Sequence, residues 1–105
     1  KNCKLFYMSV NPINSVMITK AGKGARTEAQ VREFNSKIRS GLSLNYKYID
    51  TYSVLMKKGY GTNSSYSGTD AASDDGLHYT TKTFKRIYYY CITYLNTGSI
   101  DASIY

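Results

Sequence analysis

The order of the first three predicted elements constrains the fold of this chain more than any other feature. Residues 5–10 form a short apolar and aromatic run that stops at Asn11-Pro12, which predicts a strand buried on both faces. Residues 27–41 carry a helical pattern, and residues 46–52 are rich in Tyr and favour a second strand. Two buried strands joined by a helix predict a parallel pair in an α/β domain.

The first helix has clear start and stop signals. Thr27 and Gln30 have the spacing of a capping box, and Gly41 supplies the expected end. Its apolar positions recur at steps of three and four, which predicts one buried stripe. These positions are Val31, Phe34 and Ile38. The segment before this helix, residues 14–26, is predicted to be a flexible basic connector, because its Gly and Lys residues lack the spacing of a phosphate-binding loop.

The second half of the chain predicts a long polar loop and then a helix. Residues 54–56 continue the apolar surface as a short helical turn, and residues 59–76 are dominated by Gly, Ser, Asn, Thr and Asp. Thr80 or Thr81 can cap the last helix, whose apolar stripe predicts core packing. The stripe consists of Phe84, Ile87, Tyr88, Cys91, Ile92 and Leu95. We expect one unit over residues 1–98, followed by a frayed tail at 99–105.

Composition excludes several classes of protein. The 105 residues have ordinary apolar and charged fractions, which excludes global disorder, and no apolar run is long enough to span a membrane. One His and two distant cysteines make a Cys/His metal site improbable by spacing, so no metal or organic cofactor is expected. The net charge of +7 and the 12 Tyr residues leave a polyanion-binding module as an alternative, but no nucleic-acid motif is present and no nucleic-acid partner is expected.

The candidate catalytic residues are Asp75 and His78, at the end of the polar loop and just before the last helix. In an open parallel sheet, the loops after the carboxyl ends of the strands form the active site. A carboxylate three residues from an imidazole can orient the ring and stabilise its charged form, so that the ring acts as a general base. Gly76 gives the intervening turn its conformational freedom. On the pattern alone, a histidine near a helix start is more often a surface or capping residue.

The segment Asp-Gly-Leu-His-Tyr-Thr at residues 75–80 resembles the last conserved block of the SGNH (GDSL-type) hydrolases. Residues 7–12 resemble a late core strand of bacterial members, and the intervening helix and strand follow in the expected order. The resemblance implies the carboxy-terminal half of a flavodoxin-like parallel sheet with flanking helices, in the order strand-helix-strand-loop-helix.

The resemblance also implies ester hydrolysis, with His78 as the base and Asp75 as its partner. The family's nucleophilic Ser lies in a Gly-Asp-Ser block, and its oxyanion donors lie in further blocks with Gly and Asn; none of these blocks is present here. We therefore expect this chain to be inactive alone, with an ester substrate (an acylated carbohydrate, a lipid or a small ester) in the complete enzyme. Bacterial relatives are often exported, which the resemblance extends to this chain as an expectation.

A two-stranded parallel sheet leaves both edges open, so the chain is expected to associate with a missing amino-terminal half or with itself. A structural half-domain that pairs with another chain therefore remains an alternative function.

Overall fold

The computed structural model describes residues 3–22, 24–43, 46–61 and 76–103. Within these ranges the chain is α/β, with a two-stranded parallel sheet and four helices. In chain order the elements are β1 (Leu5–Met8), α1 (Ser15–Lys20), α2 (Glu28–Gly41), β2 (Tyr46–Ile49), α3 (Thr51–Lys57) and α4 (Thr81–Thr97). The predicted strand-helix-strand unit and its parallel pairing are confirmed. A flavodoxin-like sheet is larger than the two strands described.

The two faces of the sheet are covered by different helices. Strand residues alternate between faces, so Phe6 and Met8 share one face and Tyr7 shares the other with its pairing partner Tyr48. The ring of Phe6 meets Tyr94 of α4 edge-on at 6.1 Å, and the Cys91 thiol of α4 lies 3.6 Å from the Met8 sulfur. The Arg39 guanidinium of α2 lies 4.9 Å above the ring of Tyr48. The sheet is thus a central layer between α2 and α4.

Capping side chains start each long helix as the sequence predicts. The Thr27 hydroxyl accepts from the Gln30 amide, and the Gln30 side chain accepts from the Thr27 amide, which completes the capping box of α2. Thr80 is the N-cap of α4, and Gly98 ends that helix at a φ of +80°. Backbone amides at a helix start have no carbonyl partner within the helix, and these capping side chains supply one.

Two predicted segments differ from the structure. The connector before α2 contains the helix α1, which begins because the Asn14 side chain accepts from the Met17 amide. The second strand ends at Ile49 because Asp50 caps α3 through the Ser53 amide, so the predicted helical turn is a helix of two turns. Most of the predicted polar loop lies outside the described residues.

The apolar stripes are only partly buried. In α2, Val31 is buried, but Phe34 is exposed and the polar Asn35 is buried instead. In α4, Thr83, Ile87 and Tyr90 face the core, so the predicted stripe is rotated by about one residue. The exposed members of that stripe are Phe84, Tyr88 and Leu95.

β1 is not buried on both faces, which was the expectation from its continuous apolarity. Leu5, Phe6 and Met8 are 44%, 37% and 42% exposed. Their apolar side chains require more cover than β2, α2 and α4 supply, because β1 has only one paired edge among the described strands.

Two apolar clusters hold the described elements together. One joins α3 to α4 through Leu55, Tyr60, Ile87 and Tyr90. The other joins α1, α2 and α3 through Ile13, Ile18, Val31 and Tyr52. After α4, Ile100 and Ala102 pack against the first cluster. Among the described residues no helix is long and apolar enough to cross a membrane.

We predict that Leu55→Ala lowers the free energy of unfolding by about 2–5 kcal/mol, because it leaves a cavity at a side chain that is fully buried. The matched control is Leu95→Ala, which removes the same atoms from a side chain that is 49% exposed. Urea denaturation of both variants measures the difference. Equal losses in the two variants would contradict the placement of Leu55 in the core.

Candidate functional site

The carboxyl end of β1 carries a polar cluster that the sequence pattern does not reveal. It comprises Ser9 and Asn11 from the turn after β1, Asn35 from α2, and Thr51 from the start of α3. Ser9 and Thr51 are almost completely buried, at 1% and 0% exposure. Buried polar groups are costly unless they are hydrogen-bonded, and these residues satisfy one another.

Asn35 clamps the backbone at the end of β1. Its side-chain oxygen accepts from the Val10 amide at 2.8 Å, and its side-chain nitrogen donates to the Val10 carbonyl at 2.9 Å. This pairing reproduces the two bonds that a neighbouring strand would make. The clamp therefore fixes the direction in which the chain leaves the sheet, and it explains why a polar residue occupies the buried face of α2.

A second set of bonds joins the turn after β1 to the start of α3. The Tyr52 amide donates to the Ser9 hydroxyl at 2.8 Å, and the Ser9 and Thr51 hydroxyl oxygens lie 3.1 Å apart. The Thr51 hydroxyl donates to the side-chain oxygen of Asn11 at 2.6 Å. The ends of both strands are thus joined at the same edge of the sheet, as parallel pairing requires.

The segment that contains His78 is attached to this edge at two points. The Asn14 amide donates to the Gly76 carbonyl at 2.9 Å, and the Tyr79 hydroxyl donates to the Pro12 carbonyl. Burial, with smaller contributions from Tyr60 and Tyr52, raises the pKa of the Tyr79 phenol, so it stays protonated and remains a donor at neutral pH. His78 lies between these two attachments and its side chain is exposed.

Gly76 fits against α1 in a way that no other residue can reproduce. Its φ of +73° lies in the left-handed region, and a Cβ atom there would lie 2.5 Å from the Asn14 carbonyl oxygen and 2.8 Å from the Ile18 nitrogen. The sequence alone predicts only turn flexibility for this glycine. The structure adds close packing, which holds the start of the His78 segment against α1.

The other predicted catalytic residue, Asp75, lies outside the described residues.

Candidate nucleophiles are few in the part of the chain that the structure does describe. Ser9 is buried and hydrogen-bonded, and burial raises the pKa of the Cys91 thiol, which disfavours the reactive thiolate. Both cysteines are free thiols. No group of three His, Cys, Asp or Glu side chains among the described residues could hold a metal ion.

The features of this edge that the sequence does not predict are hydrogen bonds between distant residues. Asn35 lies 25 positions from Val10, and Thr51 lies 40 positions from Asn11. Asn35 can be recognised as a buried polar residue only once the buried face of α2 is known.

No protein-family profile, curated protein or solved structure matches this chain.

We predict that Gly76→Ala destabilises the chain much more than Gly98→Ala. Both glycines have positive φ, which costs an alanine about 1 kcal/mol, but only Gly76 has backbone atoms within 3 Å of the added Cβ. We expect Gly76→Ala to lose at least about 1 kcal/mol more than Gly98→Ala in urea denaturation, through overpacking. Hydrogen exchange at the Asn14 amide should accelerate in Gly76→Ala alone. Equal losses with unchanged exchange would contradict the close packing of Gly76 on α1.

Proposed function

We propose that this chain is the carboxy-terminal part of an SGNH-type ester hydrolase, in which His78 is the general base and Asp75 orients it. The observation that carries the proposal is the double attachment of residues 76–79 to the turn after β1. Substrate sites of open parallel sheets lie at this edge. The reaction type, ester hydrolysis, comes from the resemblance of residues 75–80 to the last conserved block of the SGNH hydrolases.

The reaction needs a nucleophile from outside the described residues. His78 would take the proton from a serine hydroxyl while the serine oxygen attacks the ester carbonyl carbon. The bond to the leaving alcohol then breaks, and the imidazolium returns the proton to that alcohol. Water releases the acyl group from the serine in a second cycle of the same base. Asp75 would stabilise the imidazolium in both steps.

The open edge of β1 is where the missing part of the domain would pair. A parallel strand added beside β1 would end next to the turn at residues 9–14, so the loop after it would lie beside the His78 segment. It would also cover the apolar side chains that β1 leaves exposed. We infer that this strand belongs to the segment that carries the Gly-Asp-Ser block.

A groove at the amino end of the sheet, between the strands and the end of α4, offers a second surface for association. Its volume is about 790 Å³, and its lining includes Leu5 and Phe6 of β1 together with Leu95 at the end of α4. Lys4 and Lys47 lie at the same place. A groove whose lining combines apolar side chains with two lysines fits a polypeptide segment that carries both apolar side chains and carboxylates. This feature also supports the alternative function, a half-domain whose role is association.

We predict that the 105-residue chain alone does not hydrolyse p-nitrophenyl esters through a triad, because loss of the nucleophile removes most of the rate enhancement. Hydrolysis should equal that of His78→Ala within twofold. An excess rate in the chain that disappears in His78→Ala would contradict this prediction.

The gene that encodes this chain provides the test of the proposal. We expect a strand followed by Gly-Asp-Ser to be encoded upstream of Lys1, and the complete gene product to hydrolyse p-nitrophenyl esters. His78→Ala in that product should lower kcat by about 10³-fold or more, whereas Lys85→Ala, an exposed position on α4, should leave kcat unchanged. A gene product without His78-dependent hydrolysis would remove the enzymatic proposal and leave the association function.

A further inference from the structure

We propose that the cavity between α2 and the carboxyl end of β2 binds the terminal phosphate of a small phosphate monoester, through the side chains of Arg32 and Arg39. The cavity has a volume of about 260 Å³, and its lining also includes Ser36 of α2 and Ser53 of α3. None of these residues takes part in the proposed ester hydrolysis, so the site goes beyond that function and does not depend on it.

The spacing of three residues on α2 brings their side chains to one side of the helix. Arg32, Ser36 and Arg39 follow one another at steps of four and three, which are the steps between neighbours on a helix surface. This side lies next to β2, because Arg39 contacts both Tyr48 of β2 and Asp50 directly after it. The helix side and the end of the strand are therefore the two walls of the cavity.

Two contacts hold Arg39 in position within the folded chain. Its guanidinium carbon lies 4.9 Å from the centre of the Tyr48 ring, within the range of a cation–π contact, and its Nη1 atom lies 3.4 Å from Asp50 Oδ2. A guanidinium has five N–H donors, and among the described residues Arg39 uses one of them. A ligand would therefore meet a positioned guanidinium that still has free donors.

Arg32 carries a positive charge that the described residues do not neutralise. The acidic residue one turn before it, Glu28, has its carboxylate beside Gly61, where an added Cβ would lie 2.5 Å from a Glu28 oxygen. Within the described ranges Arg32 makes no ion pair or hydrogen bond, and the Ser36 hydroxyl makes none either. The cavity therefore has two groups with unused donors beside the partly used Arg39.

Asp50 is the carboxylate in the lining of the cavity, and its oxygens already have partners. Its Oδ1 accepts from the Ser53 amide at 3.1 Å, and its Oδ2 accepts from the Ser53 hydroxyl at 2.7 Å and from Arg39. This carboxylate caps α3, and the two guanidiniums exceed its charge. The described lining thus keeps a net positive charge, which attracts an anion.

The unused donors match the acceptors of a phosphate monoester. Such a group presents three terminal oxygens, and the donor groups of the cavity are the guanidiniums of Arg32 and Arg39 and the hydroxyl of Ser36. Arginine binds phosphate through two parallel N–H···O bonds, which a planar guanidinium supplies and an ammonium group does not. A carboxylate or a phosphodiester has only two charged oxygens, so it leaves one of the three groups without an oxygen of its own.

The test is a titration of the 105-residue chain with methyl phosphate at constant ionic strength, followed by the NMR signals of the arginine Nε–H groups and the α2 amides. We expect saturable shifts at Arg32, Ser36 and Arg39. Dimethyl phosphate and acetate, the phosphodiester and carboxylate probes, should bind about tenfold more weakly or less. Saturable binding of either probe as tight as that of methyl phosphate would overturn the assignment to a monoester.

Substitutions show whether the two arginines form the site. Arg32→Gln and Arg39→Gln should each raise the Kd for methyl phosphate about tenfold, because each removes charge-assisted hydrogen bonds. Arg32→Lys keeps the charge without the planar group and should restore only part of the affinity. The control is Lys37→Gln, which removes a positive charge from the same helix where Lys37 pairs with Glu33, and which should leave Kd within twofold.

Two further outcomes would overturn the proposal. One is the absence of saturable shifts with methyl phosphate. The other is an equal loss of affinity in Lys37→Gln and Arg32→Gln, which would show attraction to the net charge of the chain without a site. Arg32→Gln removes no contact among the described residues, so its effect on Kd is separable from folding, and urea midpoints check this for Arg39→Gln. No ester hydrolysis is measured, so this inference and the proposed function can fail separately.

Discussion

The parallel pairing of β1 with β2 is the constraint on which the other features of this structure depend. Parallel strands need a crossover, so α1 and α2 must both lie between them in the chain, and both carboxyl ends must come to the same edge. At that edge the chain leaves each strand with unpaired backbone groups. Asn35 satisfies those of Val10, and Asp50 caps the helix that follows β2. The residues at this edge are therefore polar for a structural reason before any catalytic one.

The same pairing explains why β1 keeps apolar side chains exposed. A sheet of two parallel strands covers little apolar surface, and the edge of β1 opposite β2 has no partner among the described residues. Phe6 and Met8 of β1 are correspondingly exposed. A further strand at this edge, as proposed above, would cover apolar side chains that the described strands leave exposed.

Local signals predict the two long helices and both strands, but they do not predict α1, the extent of α3 or the distant contacts. The capping box at Thr27 and the stop at Gly98 depend on residues close in sequence, so the helices they bound were correctly placed. The face that each helix buries depends on its neighbours in space: apolar spacing predicted burial of Phe34, but the clamp on Val10 brings Asn35 inward instead. The apolar run of β1 predicts a strand that is buried on both faces. The two described strands do not bury it, so this prediction requires a wider sheet. The position of His78 could be predicted from its loop, whereas its attachment through Tyr79 could not.

The polar cluster at the end of β1 is more elaborate than the closure of a small sheet requires. Apolar side chains of similar shape could fill the sites of Ser9 and Thr51 without the cost of burying two hydroxyls, and exchanging both partners of a buried hydrogen bond for apolar groups is often nearly neutral. Asn35 alone already satisfies the backbone of Val10. What the hydroxyls add is a set of hydrogen bonds that joins the turn after β1, at Ser9 and Asn11, to the start of α3 at Thr51. These bonds tie the carboxyl ends of both strands together, so the buried hydroxyls fix the direction in which the chain leaves the sheet.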